Sequence, residues 1–456
     1  MTETDSTTVP TPLMRVLDLR GQHLSPSQLR SVVPRPTGEF LASAEESVAS
    51  ILADVRDRGA EALRELAQRF DGVTQESLRV PESAIREAVD ALDPKVRSGL
   101  ETAIERTRAF AAVQRPDDAS VEVAPGAHLI HRWTPVQRVG LYVPGGLAVY
   151  PSSVVMNVVP AQAAGVDSVV LCTPPQKEFN GLPHPTTLAA AGLLGVTEVW
   201  AIGGAQALAA MAYGLEGEES LQPVNTITGP GNIFVAMAKR QLRSIVGVDG
   251  EAGTTEIAVV ADHTADPEFV AADLLSQAEH DPHAGSLLMT DSPELAEAVE
   301  TALQRRVSET KHRDRVREAL GGPQSGVILT DSLERGIDVV NAYAPEHLEI
   351  HTENPREVAS RIRNSGAIFL GPYSPVPLGD YAAGSNHVLP TGGSATHSSG
   401  LCTTSFMKAV QIIEYTEDAL AAVGDDIIAV ASAEDLPAHG AAIAARTDRR
   451  STSGVS

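Results

Sequence analysis

Residues 256–290 read E-I-A-V-V-A-D-H-T-A-D-P-E-F-V-A-A-D-L-L-S-Q-A-E-H-D-P-H-A-G-S-L-L-M-T. The apolar runs at the two ends of this stretch, Glu256–Ala261 and Ser286–Thr290, have the length and composition of buried strands. Between them, Asp266–His280 carries apolar residues at helical spacing. A strand, a helix and a second strand in this order are typical of a parallel βαβ unit.

The helix in this stretch has clear ends, and its second end is unusually polar. Asp266 can cap the N-terminus and Pro267 suits the first helical position. Pro282 disfavours helical geometry at the residue before it, so the helix is expected to stop near His280. Gln277 and His280 lie three apart on one face, where a carboxamide and an imidazole can bind a metal or a polar ligand. On spacing alone, a solvated polar C-terminus is the favoured alternative.

The same alternation of short apolar strands and helices extends over most of the chain. Before the opening stretch, strands are predicted at Val139–Val143, Ser168–Cys172, Glu198–Ile202 and Asn225–Thr228, and helices at Ser152–Ala164, Thr187–Leu194, Gln206–Tyr213 and Ile233–Leu242. After it, strands are predicted at Gly326–Thr330, His347–His351 and Ala367–Leu370, and helices at Pro293–Glu309, Leu333–Ala342 and Asn354–Asn364. This pattern predicts an α/β protein with two doubly wound, incomplete Rossmann-like parallel-sheet domains, with ligands at the Gly/Pro-rich turns after the strands.

The composition of the chain limits the classes of molecule that it is expected to bind. The 456 residues are 43% hydrophobic and carry a net charge of −24, which argues against nucleic acid or an anionic membrane as a partner. An anionic dinucleotide is still compatible with this charge, because helix N-termini can bind phosphates locally. No apolar run approaches the ~18 residues of a membrane span, and two cysteines cannot form a disulfide framework. We therefore expect a soluble protein of the cytoplasm.

Three glycine-rich turns follow predicted strands and precede predicted helices: Val143–Gly146, Gly203–Gln206 and Gly229–Asn232. None of them has the G-x-G-x-x-G spacing of a dinucleotide fingerprint. A single turn of this kind is more often only a tight connection. Three of them within about 90 residues moderately favour a nucleotide site.

Glu346 and His347 are the strongest candidates for proton transfer. Pro345 stiffens the chain before them, and a loop that enters a strand can bring both side chains to one cleft. An imidazole near its working pKa and a carboxylate that takes a proton from water are what alcohol and hydrate oxidation need. The alternative is a glutamate that caps a turn and a histidine that is half-buried at the start of a strand.

Metal ligands are less well supported by spacing. Gln277, His280, Asp380 and His439 offer oxygen and nitrogen donors that suit zinc, but no H-x-x-x-H or C-x-x-C pair is present. On spacing alone, each histidine is more often a surface or hydrogen-bonded residue. A thiolate nucleophile is a further possible route for aldehyde oxidation. Cys172 and Cys402 are each interpreted as buried and unreactive, Cys402 with less support.

A set of motifs in fixed order resembles the histidinol dehydrogenase family. The motifs are G-L-Y-V-P-G-G, G-G-A-Q-A-L-A-A, G-P-G-N, L-L-S-Q-A-E-H, A-P-E-H-L, G-D-Y-A-A-G-S-N-H-V-L-P-T and a late L-x-x-H, and the resemblance runs from about Leu17 to Arg446. It implies the NAD-dependent, four-electron oxidation of L-histidinol to L-histidine through L-histidinaldehyde, the last step of histidine biosynthesis. It also implies bound Zn²⁺, two NAD molecules per reaction and a homodimer whose C-terminal extension completes the partner's site.

Residue by residue, the resemblance implies three groups of site residues. Zinc would be bound by Gln277, His280, Asp380 and His439, and NAD by Tyr142, Gln206 and Asn232. L-histidinol would be bound by Thr255, Gln277, His280, His347, Asp380, His387, Glu434 and His439. In the family the first of these contacts is a serine that follows G-P, whereas this chain reads Gly253-Thr254-Thr255. Here Thr254 replaces the proline, and Thr255 keeps the hydroxyl but adds a methyl group.

The resemblance also implies roles for the catalytic pair. His347 would take the alcohol proton, Glu346 would activate water to hydrate the aldehyde, and His347 would assist the second hydride transfer. Two alternatives are a zinc-dependent hydrolase that uses Glu346 as its base without a dinucleotide, and a non-catalytic dinucleotide-binding protein. The glycine turns argue against the first, and the clustered Glu, His and Asp residues argue against the second.

The expected domain organisation follows from the changes in pattern and from the resemblance. The ranges are a disordered tail over 1–12, an N-terminal helical arm over 13–45, a discontinuous catalytic α/β domain over 46–141 plus 255–400, an inserted NAD-binding α/β domain over 142–254, and a C-terminal extension over 401–456 with a disordered end. A helix is expected around Thr404–Ile413 at the start of the extension. The extension is too small to fold alone, so we expect it to pack on a second subunit.

Overall fold

The structure is a computed structural model that describes residues 12–35, 41–145, 149–217, 219–250 and 253–447, with only the backbone described for 41–43. The disorder predicted for the two chain ends falls outside these ranges, except at residue 12. Gly146 of the first glycine turn also lies outside them. Within the described residues the chain forms three sheets and many helices, which confirms the predicted α/β class and adds an antiparallel sheet.

The strands are β1 (Val16–Asp18), β2 (Ala119–Ala124), β3 (Ala127–Pro135), β4 (Arg138–Tyr142), β5 (Ser168–Thr173), β6 (Val199–Ala201), β7 (Thr226–Thr228), β8 (Gly247–Val248), β9 (Glu256–Ala261), β10 (Gly285–Thr290), β11 (Gly326–Leu329), β12 (His347–His351), β13 (Ala367–Leu370) and β14 (Met407–Tyr415). The first helices are α1 (Pro26–Val32), α2 (Leu41–Arg58), α3 (Ala60–Phe70), α4 (Glu82–Asp90), α5 (Pro94–Val113), α6 (Pro151–Ala164), α7 (Pro185–Leu193), α8 (Gly204–Tyr213) and α9 (Ile233–Leu242). They are followed by α10 (Pro267–Ala278), α11 (Pro293–Glu309), α12 (Arg313–Gly321), α13 (Leu333–Tyr343), α14 (Pro355–Arg361), α15 (Val376–Tyr381), α16 (Glu417–Ala433) and α17 (Pro437–Thr447).

The larger sheet has the order β1-β11-β10-β9-β12-β13, and all of its strand pairs are parallel. The strand order reverses between β9 and β12. Two apolar clusters cover its faces, one under α10 to α12 and the other under α1, α13 and α14. The predicted arm begins with β1, which adds a sixth strand beside β11.

The second sheet has the order β6-β5-β4-β7-β8, again with parallel pairs. Its strand order reverses between β4 and β7. Strands, helices and connections of this kind make a doubly wound unit, with its crevice at the carboxyl ends of those two strands. The sequence predicted most of these elements within two residues of their observed ends.

Helix α10 shows how far local signals determine structure. Asp266 caps it, since its carboxylate accepts a hydrogen bond from the backbone N–H of Glu268, and Pro267 stands at the first helical position, as predicted. The predicted end at His280 is wrong by two residues: the helix ends at Ala278, and Glu279 is the C-cap. The N–H of His280 donates instead to the carbonyl of Gln277 in a tighter turn.

The helix predicted around Thr404–Ile413 is wrong. After a short 3₁₀ turn the chain forms β14, which pairs antiparallel with β3 over nine residues, and β2 completes a third sheet of order β14-β3-β2. β-branched residues such as Val410 and Ile412 fit a strand, but the partner strand lies almost 300 residues earlier in the chain. The pairing partner therefore gave no local signal. Helices α16 and α17 then pack against each other.

The packing of helices α2 to α5 differs from the predicted domain division. Helices α2 and α3 share an apolar cluster with α8, α9 and the five-stranded sheet, while α4 and α5 share one with α6 and α7. Residues 78–80 also hydrogen-bond to β6. We propose that the domains follow the sheets, so that residues 41–113 belong with the unit predicted to bind NAD rather than with the sheet of 256–370.

Among the described residues, no helix combines the length and the apolar character that are needed to cross a membrane.

Candidate active site

The six-stranded sheet places the two predicted catalytic residues at the amino end of one strand, beside the amino end of its neighbour. Glu346 directly precedes β12, His347 is its first residue, and Thr255 and Glu256 stand at the start of the neighbouring strand β9. We expected ligands at the carboxyl ends of the strands. Here the cluster lies at the opposite edge of the larger sheet, beside its switch point.

The carboxylate of Glu346 is fixed through one of its oxygens. Its Oε2 accepts hydrogen bonds from Thr255 Oγ1 at 2.6 Å and from the backbone N–H of Glu256 at 2.9 Å. Thr255 Oγ1 in turn accepts from Gln277 Nε2 at 2.8 Å. Burial raises the pKa of Glu346 to about 7, against the two hydrogen bonds that favour the charged form. A carboxyl group with such a pKa can exchange a proton near neutral pH.

The imidazole of His347 is oriented so that one nitrogen is paired and the other is not. Nδ1 lies 3.2 Å from the carbonyl oxygen of Glu256, which can only accept, so Nδ1 carries the proton. Nε2 is buried and has no hydrogen-bond partner among the described residues. Burial lowers the pKa of His347, so the ring is neutral and Nε2 presents a lone pair. An unpaired buried acceptor of this kind is unusual in a folded protein and marks a binding position.

Two of the predicted metal ligands lie beside this imidazole. His280 and Asp380 each interact electrostatically with His347, and His280 lies exposed in the turn that follows α10. Burial raises the pKa of Asp380 to about 6. Gln277 is buried at the last turn of α10, and because its amide nitrogen donates to Thr255, its oxygen is the atom that a cation would bind. The structure therefore brings these predicted ligands to one place.

His387 lies against the same cluster but uses both of its ring nitrogens. Nδ1 is 3.3 Å from the backbone oxygen of Asp380, and Nε2 is 3.0 Å from Ser153 Oγ in the first turn of α6. Burial lowers the pKa of His387 to about 4, which keeps the ring neutral. Its contacts connect the loop after α15 to the first helix after β4, which makes it a link between the two halves of the chain.

The last two predicted residues lie apart from this cluster within one chain. Glu434 is the C-cap of α16 and His439 stands in the first turn of α17, and both are exposed. No contact between either residue and the cluster is found in the described part of the chain.

Sequence reasoning missed a buried set of groups behind the catalytic pair. Glu256 is 3% exposed, and its carboxylate accepts from the N–H of Gly392 at 3.1 Å and from the hydroxyl of Tyr343 at 3.1 Å. The guanidinium of Arg35 lies over the Tyr343 ring and 3.9 Å from the carboxylate. Burial raises the pKa of Glu256 to about 7. A glutamate at the start of an apolar run gave no sign that it would be enclosed.

The predicted NAD residues collect at the carboxyl edge of the five-stranded sheet. Tyr142 ends β4, and its hydroxyl accepts from the N–H of Gly204 at 3.0 Å. Gln206 is buried in the first turn of α8, whereas Asn232 is exposed and caps α9 through the N–H groups of Phe234 and Val235. All three therefore stand where parallel strands end, two of them at helix N-termini that favour phosphate.

Gly229 shows why a glycine is needed at this edge. Its φ is +121°, and a Cβ there would lie 1.9 Å from the backbone oxygen of Tyr142. No other residue fits that approach, because the clash is with backbone rather than with a flexible side chain. The close contact joins the ends of β4 and β7, the two strands at the switch point.

The donor atoms at the Glu346–His347 cluster fit a zinc ion. An imidazole, a carboxylate and a carboxamide oxygen converge there, and the unpaired Nε2 of His347 lies beside them. A second group, Asp273, Glu349 and His351, has three donor atoms that lie within 4.8 Å of one another, and it is buried deeper under the same face of the sheet.

Comparisons with known proteins agree with the motifs and the geometry. A sequence profile described as "Histidinol dehydrogenase" matches residues 35–447. The histidinol dehydrogenase of Thermobifida fusca is 58% identical over 433 residues, which is 95% of this chain and 97% of that protein. The one from Mycobacterium tuberculosis is 55% identical and covers 97% of this chain and 100% of its own.

The fold has an equally complete counterpart among solved structures. The crystal structure of histidinol dehydrogenase from Elizabethkingia anophelis superposes with a TM-score of 0.90 at 32% sequence identity, and the match covers 97% of this chain and 100% of that one. The family profile, the full-length relatives and this structure lead to the same assignment. The chain belongs to the histidinol dehydrogenase family.

Proposed function

We propose that the cluster around Glu346 and His347 is the active site of this chain. Histidinol dehydrogenases oxidise histidinol to histidine in histidine biosynthesis with zinc and NAD, and the chain is an enzyme of this kind. We propose which residues of this chain carry out the proton transfers of that oxidation. The observation that carries it is the buried, unpaired Nε2 of His347 beside a carboxyl group with a pKa of about 7.

His347 is the proton acceptor for the alcohol in this proposal. Its Nδ1–H is held by the carbonyl of Glu256, so Nε2 is the basic nitrogen. A neutral imidazole in this tautomer takes the hydroxyl proton as the C–H hydride leaves the same carbon. The protonated ring returns this proton to the carbonyl oxygen when water adds to the aldehyde, and the regenerated Nε2 then takes the proton of the hydrate in the second oxidation. Two successive oxidations therefore need only one base.

Glu346 activates the water that converts the bound aldehyde to its hydrate. Both of its hydrogen bonds fall on Oε2, which leaves Oε1 as the oxygen that takes the water proton. The raised pKa makes the carboxylate a stronger base than an exposed glutamate. Exclusion of bulk water from this buried pair limits loss of the aldehyde between the steps.

The metal would be held by Gln277, His280 and Asp380 of one subunit and His439 of the partner subunit. When bound, zinc would supply a fixed positive charge that orients the substrate, and NAD would accept the hydride. Gln277 is tied to Glu346 through Thr255, so its orientation and that of the proposed base are linked. The extra methyl group of Thr255 leaves this hydroxyl bridge intact. The substrate contacts proposed for Glu434 and His387 rest on the resemblance alone.

A homodimer with exchanged C-terminal extensions is the assembly that we propose. The extension carries exposed apolar side chains on β14, on α16 and on the connection to α17, at Ile413, Tyr415, Val430 and Leu436. Such a surface costs free energy in water unless a partner covers it. A second copy would cover it and bring His439 to the metal ligands.

Mixed dimers test this exchange. Subunits with His280→Ala and subunits with His439→Ala, inactive alone, should regain activity when refolded or co-expressed together, because one of the two sites then has all its ligands. His312→Ala, a half-buried histidine at the N-cap of α12, is the matched control. No recovery in a verified mixed dimer would contradict exchange and favour ligands from one chain.

NAD binding at the carboxyl edge of the five-stranded sheet is proposed for Tyr142, Gln206 and Asn232. Support comes from the switch point between β4 and β7 and from the close approach at Gly229. Asn232 uses its side-chain oxygen to cap α9, so its amide nitrogen is the group that would face the cofactor.

The two cysteines take no part in the proposed chemistry. Cys172 is fully buried in β5, and burial raises the pKa of its thiol far above the usual range. Cys402 is half-buried on the extension, with Sγ 3.0 Å from Thr404 Oγ1. Neither is paired in a disulfide, which agrees with a cytoplasmic location, and that location stays a prediction.

The direct test supplies L-histidinol, NAD and zinc to the purified protein and counts NADH per histidine. Two NADH per histidine, lost in His347→Asn with zinc retained, is the expected result. Loss of zinc in His347→Asn equal to that in His280→Ala would show instead that His347 serves the metal and not the proton transfer.

A further inference from the structure

Beneath the active site lies a buried group of ionisable side chains that the proposed reaction does not use. Glu349 is fully buried in β12, and Asp273 of α10 and His351 of β12 surround its carboxylate. Glu349 Oε2 is 3.3 Å from His351 Nε2, and its Oε1 accepts from the backbone N–H of Val376 at 2.8 Å. The Asp273 carboxyl forms a further hydrogen bond to Glu349. Glu349 is therefore the acceptor for three elements of the fold.

The residues of this buried group lie on the same secondary-structure elements as the proposed active-site residues. Asp273 precedes Gln277 by four residues, so both lie on one face of α10. Glu349 follows His347 by two residues, so both point to one face of β12. The buried group and the active site thus use the same faces of the same two elements.

The third element completes this correspondence. Val376 is the first residue of α15, and Asp380 follows it by four residues on the same short helix. We propose that Glu349 is a positioning residue: its buried carboxylate ties α10, β12 and α15 together and so fixes the spacing of Gln277, His347 and Asp380. The inference rests on the function proposed for those three residues.

The carboxyl groups of Asp273 and Glu349 share one proton. The Glu349 carboxylate receives two N–H donors, whereas the Asp273 carboxyl has no such donor among the described residues, so Asp273 holds the proton and donates it. Burial raises the pKa of Asp273 to about 8, in agreement with this order. Burial lowers the pKa of His351, so its ring is neutral and donates from Nε2.

A metal ion is the alternative occupant, since the three donor atoms lie close enough to bind one. The hydrogen bonds argue against it. Each donor atom already has a partner, and none of the three residues carries an unpaired buried polar atom within the described chain. In the proposed active site, by contrast, Nε2 of His347 is a buried polar atom without a partner.

Paired substitutions in the holoenzyme separate these possibilities. Asp273→Asn keeps an N–H donor to Glu349 and should stay near wild type, whereas Asp273→Ala removes the donor. We expect Asp273→Ala and Glu349→Gln to lower kcat and weaken zinc retention by about 10–100-fold, the usual effect of losing a group that orients metal ligands. The KM for NAD should not change, because the cofactor edge belongs to the other sheet. Glu357→Gln, exposed on α14, is the control.

The outcomes are distinct. Equal damage from Asp273→Asn and Asp273→Ala overturns the donor role, and this comparison holds even when Glu349→Gln does not fold. A second zinc equivalent in the wild type that Glu349→Gln loses would show a metal site instead. A parallel rise in the KM for NAD would show a general loss of structure. Failure of the proposed active site is seen separately, as full zinc retention in His280→Ala.

Discussion

Replacing Glu346 with Gln should slow the second oxidation much more than the first. Both hydrogen bonds to this residue fall on Oε2, from Thr255 and from the N–H of Glu256. A glutamine that puts its oxygen there keeps both bonds and presents its amide nitrogen where Oε1 was. The fold should therefore be retained, and the change removes only the ability to accept a proton from water.

The magnitude follows from that single loss. Loss of a general base typically lowers the rate by ~10²–10⁴-fold. The second oxidation needs a hydrated aldehyde and should fall by that factor, while the first, which uses His347 as base, should fall much less. Rapid-mixing measurements with histidinol and with histidinaldehyde as separate substrates give the two rates. With histidinol, NADH should form in one fast phase followed by a slow one.

One result would refute this reasoning. Equal loss of rate with both substrates would mean that Glu346 acts in a step common to both halves, such as holding Gln277 through Thr255. Zinc content then separates the two explanations, because the water-activating role leaves it unchanged. Glu349 is buried beside the proposed site, so the matched control is Glu353→Gln, an exposed glutamate on the connection that follows β12.

Three further substitutions test other parts of the structure. His347→Asn should lower kcat by ~10²–10⁴-fold while zinc measured by atomic absorption is retained; loss of both together would contradict its role as base. Gly229→Ala should destabilise the fold by about 1–3 kcal/mol or more and raise the KM for NAD, since its Cβ meets the oxygen of Tyr142; an unchanged melting temperature would be inconsistent with that contact. The Glu256 carboxyl, whose pKa is raised from 4.5 to about 7, is protonated in the folded chain where the unfolded chain ionises it. This group should therefore lower the free energy of unfolding by about 3 kcal/mol as the pH rises from about 4.5 to 7, and in urea titrations Glu256→Gln should reduce the pH slope of the wild type by that contribution.

The elements that sequence predicted well are those whose ends carry their own signals. Helix α10 begins where Asp266 and Pro267 predict, because a cap and a proline act within one turn of the chain. Strands β9, β12 and β13 have the predicted bounds. After Glu256, β9 is a fully buried apolar run, and the bounds of β12 held although His347, Glu349 and His351 make that strand partly polar. Where the determining contact is distant, prediction failed. Strand β14 depends on β3, and a helix was expected there instead.

The residues of the candidate site likewise differ in how far the sequence could predict them. The resemblance identified Gln277, His280 and Asp380, and the chain brings them beside His347, yet nothing local shows that they converge. Glu256 was missed because its enclosure depends on Tyr343 and on the loop at Gly392, which are far away in sequence. The contribution that we propose for the exposed helix α17 would be made to a second subunit, so it has no counterpart among the contacts within one chain.

The position of the catalytic pair at the amino edge of the larger sheet has a physical reason. In a parallel strand, the backbone N–H and carbonyl of one residue point toward the same neighbouring strand. At the switch point, Glu256 uses its N–H for the Glu346 carboxylate and its carbonyl for His347 Nδ1. One residue thus orients the proposed water-activating group and fixes the tautomer of the proposed base. Since β12 is aligned with β9 by the ladder that pairs His347 with Ile257, a shift of one residue would break both contacts, so the register of the sheet sets the chemistry of the pair.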